Sequence, residues 1–197
     1  MPTHSPAAER NRVPILAELQ RLLPASGTAL EIAAGTGQHA EHFAAALPGW
    51  TWLPSDAEAA ALPSIDARCG GLANVAPAIQ LDVRVQPWAG VPAMLDLVYA
   101  ANLLHIAPWP VCAALMQGAA RHLAPHGLLV TYGPYLVDGV PTAPGNLAFD
   151  ADLRARNPAW GLRRLADIEA EARSAGLMLG ESIAMPANNR LLVWRPG

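Results

Sequence analysis

Apolar residues along this chain fall into short continuous runs, separated by stretches of helical period and heavily punctuated by proline and glycine. Residues 28–33, 51–53, 78–83, 94–101 and 127–132 show little polar alternation, the pattern of strands covered on both faces. Between them, residues 38–47, 57–68 and 110–122 carry helical spacing, the second of these despite Pro63. Near the start, Ser5-Pro6 predicts a helix cap with proline in the first turn. Pro14 predicts a second, separate helix, capped by Asn11 and running to about Leu23, with Ile15, Leu16, Leu19, Leu22 and Leu23 on one face. Residues 133–162 are rich in Gly, Pro and Asn and are expected to be irregular. A charged amphipathic helix over 163–175 and strands at 177–184 and 190–194 complete the pattern. The last two strands follow each other with no helix between them, so the final one is expected to enter antiparallel. The fold class is α/β: a doubly wound, mostly parallel seven-stranded sheet with an antiparallel last strand. No repeat or low-complexity linker divides the chain, and residues 1–197 are read as one domain.

The candidate chemistry is concentrated in LEIAAGTGQHA, residues 30–40. Gly35 and Gly37 stand between an expected strand and an expected helix, where glycine lets the backbone turn sharply and approach a ligand without a β-carbon in the way. Asp56 closes the next strand about twenty residues on, a position from which a carboxylate accepts ribose hydroxyls, although it also suits a helix cap. Taken alone, this pattern fits a nicotinamide dinucleotide as well as any other adenosine-ribose. Glu31 separates the two. A dinucleotide-binding strand would be apolar there, and a carboxylate inside a buried strand is costly unless something cationic or hydrogen-bonding faces it.

An acid in strand one, a GxG turn and an acid ending strand two together resemble the class I S-adenosylmethionine-dependent methyltransferases. The resemblance implies S-adenosylmethionine as cofactor, with Glu31, Ala33, Gly35, Gly37 and Asp56 along it. Asp82, beside Val83 in IQLDV, stands where that family places an acid near the adenine amino group, and Asn102 follows strand four beside the methionyl end. SPAAERN (5–11), TWLPSD (51–56), HIAPW (105–109), YGPY (132–135), NLAFDADLRARNPAWG (146–161) and MPANN (185–189) are further similar to the methyltransferase-like 26 group, known mainly as a domain of unknown function. That similarity spans almost the whole chain and carries no substrate with it.

Several polar residues have two readings. Arg10 and Asn11 belong either to a surface helix start or to a segment, residues 1–12, that folds over the cofactor together with 133–162 as a lid and substrate-binding region. His105, Tyr132 and Tyr135 follow strands four and five and are the candidate proton acceptors or orienting groups. Asn146, Arg154, Asn188 and Asn189 are candidate substrate ligands, with Arg154 a possible clamp for a carboxylate and Asn188-Asn189 equally suited to a tight turn. His39 and His42 share a helix face but have no third ligand nearby, so no metal site is expected.

Composition narrows the function. The net charge of −3 and the absence of a basic stripe give no reason to bind nucleic acid. All 13 basic residues are arginine, which removes lysine chemistry, and two cysteines without CxxC spacing support neither a disulfide framework nor a thiolate zinc site. No apolar run spans a bilayer and no leader pattern opens the chain, so the expectation is a cytoplasmic enzyme that does not enter membranes. The expected activity is methyl transfer to a small molecule. The alternatives are a nicotinamide-dependent oxidoreductase and a non-catalytic S-adenosylmethionine-binding partner protein; the oligomeric state is open.

Overall fold

The first helix is one element, not two. In the computed structural model, which describes residues 4–197, α1 (Pro6–Leu22) runs unbroken through Pro14. Ser5 caps it, its hydroxyl accepting from the Ala8 N–H at 3.3 Å. A proline inside a helix removes one donor, here the partner of the Arg10 carbonyl. Burial of Asn11, Ile15 and Leu19 along one face holds the helix together across that gap. Asn11 is therefore an interior helical residue, where the sequence pattern points to a cap.

Next come β1 (Gly27–Ile32), α2 (Gln38–Ala46), β2 (Trp50–Asp56), a single 3-10 turn at Ala59–Ala61, α3 (Leu62–Cys69) and β3 (Ile79–Gln80). The second half is β4 (Leu95–Ala101), α4 (Pro110–His122), β5 (Leu123–Gly133), β6 (Tyr135–Leu136), α5 (Pro144–Arg156), β7 (Arg163–Arg164), α6 (Leu165–Ser174), β8 (Leu177–Met185) and β9 (Asn189–Pro196). Seven strands form the main sheet in the order β3-β2-β1-β4-β5-β9-β8. The expected doubly wound α/β sheet is present, with β9 antiparallel to both β5 and β8.

Two expectations need correction. β3 shrinks from the expected 78–83 to two residues, because the chain turns away at Leu81, whose N–H bonds the Asp56 carbonyl at 2.8 Å. The segment 133–162 is not irregular: it contains helix α5, and β6 pairs in parallel with β7. Within α5 only Leu153 is buried, while Leu147 and Phe149 face outward. A helix with one buried position shows no 3.6-residue apolar stripe, so its period is invisible.

The sheet separates two apolar layers. Ile15 and Leu19 of α1, Phe43 of α2 and Ile65 of α3 pack on one face. Cys112, Leu115 and Met116 of α4 and Ile168 of α6 pack on the other. β1 and β4 are neighbours whose connections leave in opposite directions, which places the ligand crevice of such a sheet at their carboxyl ends. Among the described residues no helix is long and apolar enough to cross a membrane.

Candidate functional site

At that crevice the chain passes from β1 into α2 through three left-handed positions in alternation: Ala33 (φ 55°), Gly35 (φ 56°) and Gly37 (φ 72°). The two glycines serve different ends. A β-carbon at Gly37 would lie 3.2 Å from the Ile65 Cα, so this glycine admits helix α3. At Gly35 the nearest atom would be 3.9 Å away, so its bare backbone faces open space where a ligand can approach. Asp56 is buried at the end of β2 and braces the loop. Its Oδ2 accepts from the Gly35 N–H at 2.9 Å and its Oδ1 from the Glu58 N–H at 3.0 Å.

Glu31, on β1, is buried and accepts from the Trp52 indole N–H at 2.7 Å. Burial pushes its carboxyl up to about 8; the Trp52 bond offsets part of that, and the negative charge of Asp56 adds to it. Among the described residues it has no salt-bridge partner, so this carboxyl awaits a cation or stays protonated near neutral pH.

Beside the loop, at the ends of β4 and β5, lies a cavity of about 600 Å³. Helix α1 contributes Ala7, Arg10, Asn11 and Pro14; the strand ends contribute Asn102, Tyr132 and Pro134. Asn146 and Phe149 of α5 and Pro186, Ala187 and Asn189 of the β8–β9 turn complete the wall. Asn102, Ala187 and neighbouring Asn188 all have φ near 57°, and non-glycine residues in that conformation gather at functional sites. The walls are tied together. Asn146 Nδ2 donates to the Asn188 carbonyl and to its side-chain oxygen at 3.0 Å each, joining α5 to the turn. The Ser5 N–H donates to Gln38 Oε1 at 2.5 Å and the Thr36 hydroxyl to the same oxygen at 2.9 Å, joining the start of α1 to the glycine loop.

Of the three candidate catalytic residues, only Tyr132 lines this cavity. His105 sits one layer behind Phe149, ring centroids 5.5 Å apart, and desolvation, then the nearby Arg163 charge, lowers its pKa to about 4. Tyr135 is buried in the α4–α6 layer, where burial raises its phenol, and it borders a separate cavity of about 260 Å³ that also takes Asn188. Arg154 is engaged elsewhere: it pairs with Asp150 at 2.9 Å and edges a groove beside α6. Asp82 is held by Arg84 at 2.6 Å, which lowers its pKa, and the carbonyl of buried Val83 accepts from the Trp88 and Gln86 side chains. Arg10, Asn11, Asn102, Asn146 and Asn189 stand in the cavity wall. Phe149 and His39 are the contributions that the sequence reading missed. A histidine directly after the glycine loop, one turn before Phe43, is the sequence signal for His39.

The fold is that of the Rossmann-like, class I methyltransferases. Its neighbours include the calicheamicin-biosynthesis methyltransferase CalO1 in an SAH-bound form (TM-score 0.77, 17% identity, 97% of this chain and 54% of that one). The mitomycin 7-O-methyltransferase MmcR gives a TM-score of 0.80 at 15% identity, covering 95% of this chain and 54% of that one. An O-methyltransferase family 2 protein from Planctomyces limnophilus DSM 3776, in complex with apigenin, gives 0.75 at 17%, covering 97% and 61%. The chain spans about half the length of CalO1 and MmcR. It belongs to the family described as protein of unknown function DUF938, whose model matches residues 2–196.

Proposed function

We propose that this protein transfers a methyl group from S-adenosylmethionine to a small molecule. The observation that carries the reading is the placement of two features at the ends of neighbouring strands: a glycine loop braced by Asp56 after β1, and a cavity lined by Asn102 and Tyr132 after β4 and β5. The open space at Gly35 and the unpaired carboxyl of Glu31 fit the cofactor's backbone-hugging ribose and its cationic amino end. Gly35 and Asp56 would hold the ribose side; Glu31 and Asn102 would hold the methionine end. When bound, the cofactor supplies an electrophilic methyl on sulfur, which leaves as a neutral thioether when an acceptor's lone pair takes the carbon.

The protein's part is alignment and exclusion of water, since the leaving group is already built in. Helix α1, fastened to the glycine loop through Gln38, and helix α5, fastened to the β8–β9 turn, flank the cavity as a lid would. Cavity size and the acidic net charge favour a small acceptor over nucleic acid. The segment similarities to the methyltransferase-like 26 group support the same activity. The oxidoreductase alternative has no support in the site, where a carboxyl occupies the strand position that a dinucleotide fold keeps apolar.

Calorimetry decides the cofactor. S-adenosylhomocysteine is expected to bind and NADH not to; preferential binding of NADH refutes the reading. Amide exchange in α1 and α5 is expected to slow on adding S-adenosylhomocysteine, and unchanged exchange in both helices removes the lid.

A further inference from the structure

The Asn11 carboxamide is held at its oxygen by His39, and that bond points the hydrogen bonds around it in one direction. Asn11 Oδ1 lies 2.7 Å from His39 Nε2. An amide oxygen only accepts, so Nε2 carries the proton and donates. His39 is then a neutral imidazole whose Nδ1 accepts from the Tyr99 hydroxyl at 3.3 Å. The ring is buried and stacked on Phe43 with centroids 5.1 Å apart, and desolvation first, then the charges of His42 and Arg12, lowers its pKa to about 4. The other end of Asn11, its NH2, is left over by that bond and shares the cavity wall with Tyr132; burial raises the Tyr132 phenol, and the Asn11 amide, then the Arg10 charge, offset part of that. The chain runs from Tyr99 to His39 to Asn11 to Tyr132. A hydroxyl oxygen that accepts from Asn11 keeps its own proton to give, and Tyr132 faces the cavity.

We propose that His39, acting through Asn11, sets the Tyr132 hydroxyl as a hydrogen-bond donor into the cavity, and that the methyl acceptor carries an acidic hydroxyl which enters as the oxyanion. This rests on the methyltransferase reading and specifies its substrate class. The cavity wall offers Arg10, Tyr132 and asparagine amides as donors, with no carboxylate and no imidazole among its lining residues. A neutral alcohol would have no group to take its proton, and an amine would arrive as an ammonium with no counter-charge. An acidic hydroxyl gives its proton to water before binding, so the protein needs no base. Its oxygen then accepts from Tyr132 next to the Arg10 guanidinium. His39 is a positioning residue here; it touches neither ligand.

The test titrates S-adenosylhomocysteine-loaded protein with 4-nitrophenol above its pKa and with size-matched 4-nitroaniline. The phenolate is expected to bind about tenfold more tightly or better, as one charge-assisted hydrogen bond implies. Tyr132→Phe should erase that preference. His39→Phe, which keeps the stack on Phe43, should reduce it by a similar factor, and His39→Gln, which keeps a donor toward Asn11, should restore most of it; thermal melts check that each variant folds. Nitrogen-15 spectra of His39 should show the Nε2–H tautomer at neutral pH. An Nδ1–H tautomer, an imidazolium, equal or absent binding of the two probes, or a phenolate affinity untouched by Tyr132→Phe overturns the proposal. If S-adenosylhomocysteine itself does not bind, the methyltransferase reading fails instead, and the tautomer and the probe titration on the protein alone still decide the donor.

Discussion

The Trp52 indole N–H donates to the Glu31 carboxyl at 2.7 Å across the paired strands β1 and β2. It is a single neutral donor serving a fully buried acid, too little to keep that acid ionised against desolvation.

The first prediction follows from that imbalance. A raised folded-state pKa, about 8 against an ordinary 4.5, gives stability that is whole below 4.5 and lost as pH rises through 8. Glu31→Gln, which cannot ionise, should therefore gain on the wild type across that window, by about 1.4 kcal/mol per pH unit at most. Melts of both proteins at several pH values check it. A cation brought against Glu31 also drives its ionisation, so S-adenosylhomocysteine binding near neutral pH should release a proton in wild type and none in Glu31→Gln. Calorimetry in two buffers of different ionisation enthalpy reads that difference; equal proton release in both proteins counts against the assignment.

Two of the three buried histidines, His39 and His105, set the acid side. His39 and His105 are both lowered to about 4 from 6.5, so the stability tied to their neutral forms is full above 6.5 and lost as pH falls through 4. Below 6.5 two histidine slopes oppose the single Glu31 slope; above it only Glu31 acts. Thermal stability should peak near pH 6.5, and replacing His105 by Phe should flatten the acid limb. A melting temperature that climbs steadily to pH 8 contradicts the Glu31 assignment, and one that does not rise toward pH 6.5 contradicts the histidine assignments.

Asp56 carries two jobs that separate by substitution. Asp56→Ala strands the Gly35 and Glu58 N–H groups and should cost about 1–3 kcal/mol for each one left buried, together with most of the cofactor affinity. Asp56→Asn keeps an acceptor for the loop, so it should retain more stability than the alanine variant while still losing affinity for S-adenosylhomocysteine. If both variants bind it as tightly as wild type, Asp56 is only a brace.

The two glycines should also part company. Gly35→Ala, whose β-carbon would have only the Ala33 carbonyl at 3.9 Å beside it, should carry mainly the roughly 1–2 kcal/mol of a left-handed side chain, yet lose affinity for S-adenosylhomocysteine. Gly37→Val collides with the Ile65 backbone as well and should lose far more stability. Melting paired with calorimetry for each variant gives the answer.

The glycine loop, Glu31 and Asp56 were legible in the sequence because their chemistry is local: a turn needing positive φ, and acids at strand positions where apolar residues are the rule. The doubly wound sheet and its antiparallel last strand followed from apolar runs and the absence of a helix between β8 and β9. What escaped depends on partners distant in sequence. Asn11 looks like a cap until His39, 28 residues on, takes its side chain. Helix α5 stays hidden because its apolar residues Leu147 and Phe149 turn away from the core. Tyr132 and Tyr135 stand three apart across a tight bend, and nothing local tells that one faces the cavity and the other the core. Arg154 reads as a clamp because it stands in a family-like segment, whereas its neighbour one helical turn back, Asp150, pairs with it.

Strand β9 lies between β5 and β8, yet residues 189–196 are synthesised after both. Until they leave the ribosome, β5 has an open edge and β8 has no partner in the main sheet, so the nascent chain must wait with unpaired apolar strands. The sheet therefore closes out of chain order, and the interval between synthesis of β5 and arrival of β9 is when the chain most needs protection from aggregation.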